Sequence, residues 1–312
     1  MNEQVEAFLR FLAEERRLSA NTLAAYCNDL RQFEDYLASE RAQRIRPDGA
    51  GGGPGPRLPR AGREEVVDFF LQLREKGYSP ATIARKMAAI KSMFQFLHRR
   101  GDIATNPASA LGSPEVKKPL PRAISVSDVD ALLHQANKRS SPEGLRDAAM
   151  LQVLCATGVR VTELVSLDLA DVDLAGRRVL CTGRNKRKRE LPIDDRVVAS
   201  LDTYLRQGRP PLLRTDEATD AIFLNHRGRR LTRQGFWLIM KALARDSGIA
   251  SEVTPHTLRH SFAAHRLKDG LELHRLRELL GHANISTTQI YTQVRLEPEA
   301  SAARPNPVGA GS

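Results

Sequence analysis

A chain of 312 residues with 48 Lys and Arg against 37 Asp and Glu carries a net charge of +11, a basic excess laid over an ordinary acidic complement. That length accommodates two domains with separate cores, and the charge points to a polyanionic partner. No stretch approaches 18 uninterrupted apolar residues and MNEQVEAFLR lacks the apolar core of a secretion signal, which argues against a membrane protein and predicts a cytoplasmic one.

The first hundred residues read as helical. Val5, Phe8, Leu9 and Leu12 make one apolar face, and Ser19 caps a helix through Ala38 that turns Leu23, Tyr26, Leu30, Phe33 and Leu37 inward. Residues 44–62, RIRPDGAGGGPGPRLPRAG, hold too many glycines and prolines to pack a core and predict a flexible loop. The GAGGG run follows no strand, so it is not a dinucleotide turn. Helices over 63–76 and 79–99 follow, the second opened by Ser79-Pro80 and carrying Ile83, Met87, Ile90, Phe94 and Leu97. Four helices predict a small bundle over residues 1–103. Its polar faces carry Arg85, Lys86 and Lys91, which suit either solvent or phosphate. The prolines at 107, 114, 119 and 121 mark residues 104–122 as a linker.

A second domain spans 123–296 and should be mainly α with a small β-hairpin. Ser127 is expected to open a helix (DVDALLHQA), and Ser141-Pro142 another that Gly158 closes, with Arg160 just beyond. Arg160 could simply pair with Glu163 three residues on. Cys155 lies in the apolar run MLQVLCA, as a small buried residue rather than a nucleophile. Together with Cys27 and Cys181 it forms no C-x-x-C pair, so no disulfide framework or zinc ribbon is encoded. Residues 178–182 and 190–193 predict two strands around GRNKRKR, with seven basic residues among the thirteen from Arg177 to Arg189. Arg184, Lys186, Arg187, Lys188 and Arg189 there, and Arg230 with Arg227 and Arg229 further on, make a basic surface fit for nucleic acid. Thr232 caps a helix whose Phe236, Trp237, Ile239, Met240 and Leu243 are most simply core.

Thr254-Pro255 opens a helix to Lys268, placing His256 in its first turn and Arg259 one turn along the same face, where both can address an anion at the helix N-terminus. His256 and His260 also have zinc-helix spacing, but HTLRH lacks the glutamate of H-E-x-x-H, and no third ligand pattern follows. A helix from Leu271 to Leu280 stops at Gly281, and His282 leaves the turn. Ser286 and Gln289 have capping-box spacing, implying a further helix that presents Tyr291, whose ring need not be buried. Residues 297–312 should be a mobile tail.

The order His256-x-x-Arg259, Gly281-His282, then Tyr291 nine residues later resembles the tyrosine site-specific recombinases, most closely the bacterial Xer type. ATGVRVTEL resembles the segment bearing that family's first catalytic arginine, here Arg160. The resemblance implies a SAM-like, DNA-clamping N-terminal domain and an α+β catalytic domain. It also implies a hairpin lysine after a glycine: counting back from Pro192 reaches Arg184, and a one-residue shift makes Lys186 the nearest lysine, with Lys188 behind it.

Storing a broken phosphodiester as an ester requires a protein nucleophile, and a tyrosine hydroxyl can serve. Two guanidiniums, Arg160 and Arg259, can hold the charge of five-coordinate phosphorus in place of metal ions. By resemblance, the hairpin lysine protonates the leaving 5′ oxygen, His256 helps withdraw the tyrosine proton, and His282 bonds the phosphate. No cofactor, metal or ATP is expected. The partners implied are double-stranded DNA with a specific site, and a homo- or hetero-tetramer passing through a Holliday junction. A second Xer-type recombinase and a DNA translocase are further partners of such relatives. Chromosome dimer resolution is the leading role and mobile-element integration the alternative; a type IB topoisomerase and a non-catalytic DNA-binding protein are the rivals.

Overall fold

The computed structural model describes residues 3–44, 61–112, 123–183, 187–213, 219–249 and 252–294, without the side chains of 40–44 and 293. The chain divides into two compact units, Met1–Lys118 and Pro119–Ser312. Most of loop 44–62, part of linker 104–122 and the tail 297–312 lie outside the described residues, as do Arg184 and Lys186.

The first unit holds α1 (Glu3–Glu14), α2 (Ala20–Arg44), α3 (Arg63–Glu75) and α4 (Pro80–Arg100). Their apolar stripes meet in one core in which Phe8, Phe33, Phe69 and Phe94 are fully buried. Ser79 Oγ accepts the Thr82 N–H at the head of α4, and Gly101 ends it at φ 79°, a left-handed conformation that glycine adopts without strain. Lys86, expected on a polar face, is instead buried at 3 % exposure: its ammonium sits 2.9 Å from Asp29 Oδ1 and 2.5 Å from Gln32 Oε1. A buried ammonium needs such partners, which removes Lys86 from any outer face.

The second unit begins with α5 (Val126–Asn137), α6 (Pro142–Thr157) and α7 (Val161–Val165). Ser125, not Ser127, caps α5, because its Oγ accepts the Asp128 N–H at 3.1 Å. A three-stranded antiparallel sheet follows in the order β1 (Val172–Asp173), β2 (Arg178–Thr182), β3 (Lys188–Pro192), with Val179 opposite Leu191 and Cys181 opposite Arg189. The expected hairpin is present; β1 went unforeseen because two residues carry no alternation. Then come α8 (Asp195–Thr203), α9 (Arg209–Leu212), α10 (Arg233–Asp246), α11 (Pro255–Lys268), α12 (Leu273–Leu280) and α13 (Ser286–Gln289). The mainly α architecture with a small sheet is therefore as expected.

The core of this unit gathers α6, the sheet and α10 through Leu151, Leu154, Val179, Leu191, Phe223, Phe236 and Met240. Cys155 is half-buried against the core rather than fully within it, and desolvation still pushes its thiol up to about 12, an inert side chain. Trp237 departs from expectation: it is 40 % exposed, with the Lys241 ammonium 4.3 Å from its ring centroid. Phe236, Met240, Leu243 and Ala244 of α10 are buried in the core and Ile239 packs against it, a face that cannot also turn 237 inward. Among the described residues no helix is long and apolar enough to cross a membrane.

Candidate active site

The site is assembled from the ends of four helices. Thr254 Oγ1 accepts the Thr257 N–H at 3.0 Å and Pro255 takes the first turn, so α11 starts where the sequence requires, with His256 exposed and Arg259 one turn deeper at 4 % exposure. Two glycines in the left-handed region close neighbouring helices: Gly158 at φ 60° after α6 and Gly281 at φ 62° after α12. Such caps leave terminal carbonyls without helical partners. Arg259 uses them: Nη1 donates to the Gly158 carbonyl, and Nη2 donates to Leu280 O at 2.6 Å and lies 3.0 Å from His282 Nε2.

Arg160 stands at the N-cap of α7, half-exposed, and donates to Gly281 O at 3.1 Å and to Glu163 Oε1 at 3.0 Å. The local pair that the sequence allowed therefore exists, and it is one edge of a larger network. Glu163 also accepts the Arg160 N–H at 2.9 Å and a two-pronged bond from Arg189 Nη1 and Nη2 at 2.9 and 2.8 Å, while Arg189 Nε donates to Leu279 O at 2.9 Å. Burial works to raise the Glu163 pKa. The bonds and charge of Arg189, then those of Arg160, outweigh it and hold the carboxyl below its ordinary 4.5. Arg189 is thus turned inward onto Glu163 and Leu279, a correction to its expected place on the basic surface.

A guanidinium can only donate, so His282 Nε2 accepts from Arg259 and Nδ1 carries the proton given to Thr288 Oγ1 at 2.9 Å. Burial, then the charges of Arg259, Arg160 and Arg189, push His282 down to about 4. Asn284 Oδ1 accepts the Ser286 N–H, so Ser286 is the first residue of α13 rather than its cap. Tyr291 follows in a single turn over Ile290–Gln293. Its ring, which the sequence did not require to be buried, is 5 % exposed among Phe262, Ala263, Leu276 and Leu280, and stacks on His282 with centroids 6.2 Å apart. Its hydroxyl lies 3.1 Å from His260 Nδ1 and receives a hydrogen bond from Arg259. Burial raises the phenol pKa, and the Arg259 charge opposes that rise.

The structure thus brings Arg160, Arg259, His282 and Tyr291 together and sets His256 on the exposed first turn beside them, its ring centroid 6.3 Å from that of His260. Three participants were missed or undervalued. Glu163 was read as a surface partner, His260 only as half of a zinc pair, and Thr288 not at all. Only the i, i+4 spacing of His260 from His256 hinted at a place by the site. Among the described residues no group of three or more His, Cys, Asp or Glu could hold a metal ion.

The other expected DNA contacts divide. Arg187 and Lys188 are exposed at the start of β3. Arg85 is half-exposed and paired with Asp29. Lys91 donates to the Leu111 carbonyl, and Arg230 donates to Val165 O, Leu167 O and Asp168, so both are largely committed within the fold.

The fold and this cluster of arginines, histidines and a tyrosine define a strand-transferring enzyme: the chain belongs to the phage integrase family, which matches residues 122–297, with that family's N-terminal SAM-like domain over residues 5–49 and 54–101. Within it, the similarity is to tyrosine recombinases of the Xer type, enzymes that break and rejoin DNA, as the motif resemblance led one to expect. Tyrosine recombinase XerC of Roseiflexus sp. (strain RS-1) is 46 % identical over 308 residues, covering 98 % of this chain and 94 % of that protein. Tyrosine recombinase XerD of Listeria monocytogenes serotype 4b (strain F2365) is 43 % identical over 294 residues, covering 94 % and 95 %. The fold is also that of the XerH site-specific recombinase bound to difH substrate in a pre-cleavage complex. That match has a TM-score of 0.67 at 20 % identity and covers 92 % of this chain and 80 % of that one.

Proposed function

We propose that the protein recombines DNA at a specific site through a covalent 3′-phosphotyrosyl intermediate on Tyr291. Arg160 and Arg259 hold the non-bridging oxygens of the scissile phosphate, because both guanidiniums are fixed on carbonyls, and Arg259 lies against the Tyr291 hydroxyl where the phosphate would sit. His282, neutral and stacked on Tyr291, completes the phosphate cradle, with His256 at its exposed edge. Lys186 is the proton donor to the leaving 5′ oxygen by resemblance, with Arg184 and Lys188 the other residues near that place; Arg184 and Lys186 lie outside the described residues. Arg187, Lys188 and Arg85 are the candidate phosphate contacts with exposed side chains.

Each strand exchange conserves bond energy as a phosphotyrosyl ester, so the reaction needs no ATP, and four protomers acting on two duplexes would pass through a Holliday junction. Chromosome dimer resolution, with a second Xer-type recombinase and a translocase as partners, is the role this reading favours. Its support is similarity to XerC and XerD along nearly the whole chain. The observation that carries the chemistry is the tyrosine hydroxyl within reach of Arg259 and beside His282.

The test uses short nicked duplexes cut from the source genome, in which cleavage is trapped because the nicked fragment diffuses away. Wild-type protein is expected to give a protein-linked strand on a denaturing gel. Tyr291→Phe should give none while binding the same duplex within about twofold and with the same steep salt dependence. Loss of binding together with cleavage, or an unaltered adduct, would refute the assignment.

A further inference from the structure

We infer that His260 is the group that takes the proton from the Tyr291 hydroxyl, so that the imidazole one helical turn beyond His256 activates the nucleophile. The inference rests on the recombinase reading of Tyr291 and adds a residue to its machinery.

The argument is one of donors and acceptors. Two side chains meet the Tyr291 oxygen: His260 Nδ1 at 3.1 Å and Arg259, which bonds to it as a donor. A guanidinium has no acceptor, so the phenolic proton cannot point to Arg259 and is directed at Nδ1. The Arg259 bond meanwhile favours the developing phenolate. Other acceptors nearby are already occupied. His282 Nε2 faces Arg259 and its Nδ1 faces Thr288. His256 is exposed, and among the described residues no hydrogen bond joins it to Tyr291. The His260 ring lies against the phenol, with centroids 5.4 Å apart, and the helical backbone of α11 fixes its position.

The electrostatics support a neutral, accepting imidazole. Burial, then His256 and Arg259, bring His260 down to about 4. The titratable groups facing it are His256 and Arg259 on α11, His282 beyond α12, and Tyr291. In the step, the Tyr291 O–H bond breaks and its proton passes to His260 Nδ1 as the phenolic oxygen bonds phosphorus. The P–O5′ bond then breaks, and the 5′ oxygen takes one proton from the hairpin lysine or from water. On resealing, the 5′ hydroxyl gives its proton back to the lysine or to water as its oxygen bonds phosphorus, the P–O bond to Tyr291 breaks, and the proton on Nδ1 returns to the phenolic oxygen.

The experiment measures adduct formation on the trapped nicked duplex with wild type, His260→Gln and His260→Ala, each first shown to melt cooperatively and to bind the duplex. Glutamine can accept the hydroxyl's hydrogen bond but cannot take its proton. Both variants are expected to cleave about 10²–10³-fold more slowly at pH 7, with a rate that climbs with pH where the wild type is level. Added imidazole should restore at least tenfold to His260→Ala. On a duplex with sulfur in place of the 5′ oxygen, whose thiolate departs without a proton, the deficit should persist, because it lies on the nucleophile's side. Near-wild-type cleavage by His260→Gln would overturn the inference, as would a deficit that ignores pH and imidazole or vanishes with the sulfur leaving group. If His260→Ala fails to fold, the pH profile and the sulfur substrate with His260→Gln decide alone. A wild type that forms no adduct refutes the recombinase reading itself, whereas an adduct dependent on Tyr291 but indifferent to His260 refutes only this step.

Discussion

Each unit holds a buried carboxylate met by two cations, Asp29 in the first and Glu163 in the second, and the two clusters use them differently. In the first, Asp29 is met by Lys86 and Arg85, and the Lys86 ammonium is closed off by Asp29 and Gln32. In the second, Glu163 is met by Arg189 and Arg160, but among the described residues the neighbouring Arg259 makes no ion pair with a carboxylate and hangs on backbone carbonyls exposed by two helix ends. Positive charge therefore outnumbers negative charge at that point. The consequence is visible in its neighbours: Arg259 itself is lowered to about 10 by burial and by Arg160, and His282 to about 4. A closed cluster holds two helices together. An open one leaves like charges side by side, which on the proposed reading is the place the scissile phosphate would take.

The contrast can be broken most forcefully at Arg259. Arg259→Lys keeps one charge but cannot reach two carbonyls and a phosphate with a single ammonium, so adduct formation should fall about 10²–10³-fold. Cleavage near the wild-type rate would mean that this guanidinium is as structural as Lys86. Glu163→Gln comes next, since it leaves Arg189 and Arg160 in partly buried positions without their counter-charge. Thermal unfolding should show a loss of about 3 kcal/mol, or roughly 6–12 °C for a unit of this size. An unchanged melting point would show that the carbonyl contacts suffice.

The histidines sharpen the contrast through pH. His260 and His282 sit at about 4 in the folded chain against 6.5 ordinarily, so the unfolded chain binds protons first as pH falls. Their contribution to stability is complete above pH 6.5 and is lost progressively down to pH 4, with uptake of up to about two protons on unfolding. The slope of unfolding free energy against pH over that window measures it, and His260→Gln should remove up to half. Glu163, whose pKa is depressed, adds its own loss only below its ordinary 4.5. The smallest effect is expected in the first unit. Asp29→Leu with Lys86→Met should stay within about 1 kcal/mol of wild type, since an apolar pair can replace a closed ion pair, while DNA affinity keeps its salt dependence. A weaker salt dependence would place Lys86 in contact with DNA after all.

Much of the site was legible because it is written at fixed local spacings. Thr254-Pro255 sets the start of α11, the three-residue step carries His256 to Arg259, and Gly158 and Gly281 announce the helix ends on which Arg160 and His282 stand. The departures share one cause, the meeting of segments remote in sequence. Lys86 looked like a surface residue until Asp29, 57 positions away, was packed beside it, and Arg189 belonged to a basic run until Glu163, 26 positions earlier, drew it inward. Trp237 belonged to an apolar stripe that proved narrower than its composition.

By itself, then, the sequence determined which residue types occur at which local intervals. That was enough for the helices, the hairpin and the family, because caps, left-handed glycines and i, i+3 steps act through a few neighbouring atoms. Tertiary structure alone decided which cations are neutralised and which stay open, and which imidazole reaches the Tyr291 hydroxyl. Charge compensation and proton transfer depend on distances of about 3 Å between chain segments that only folding brings together.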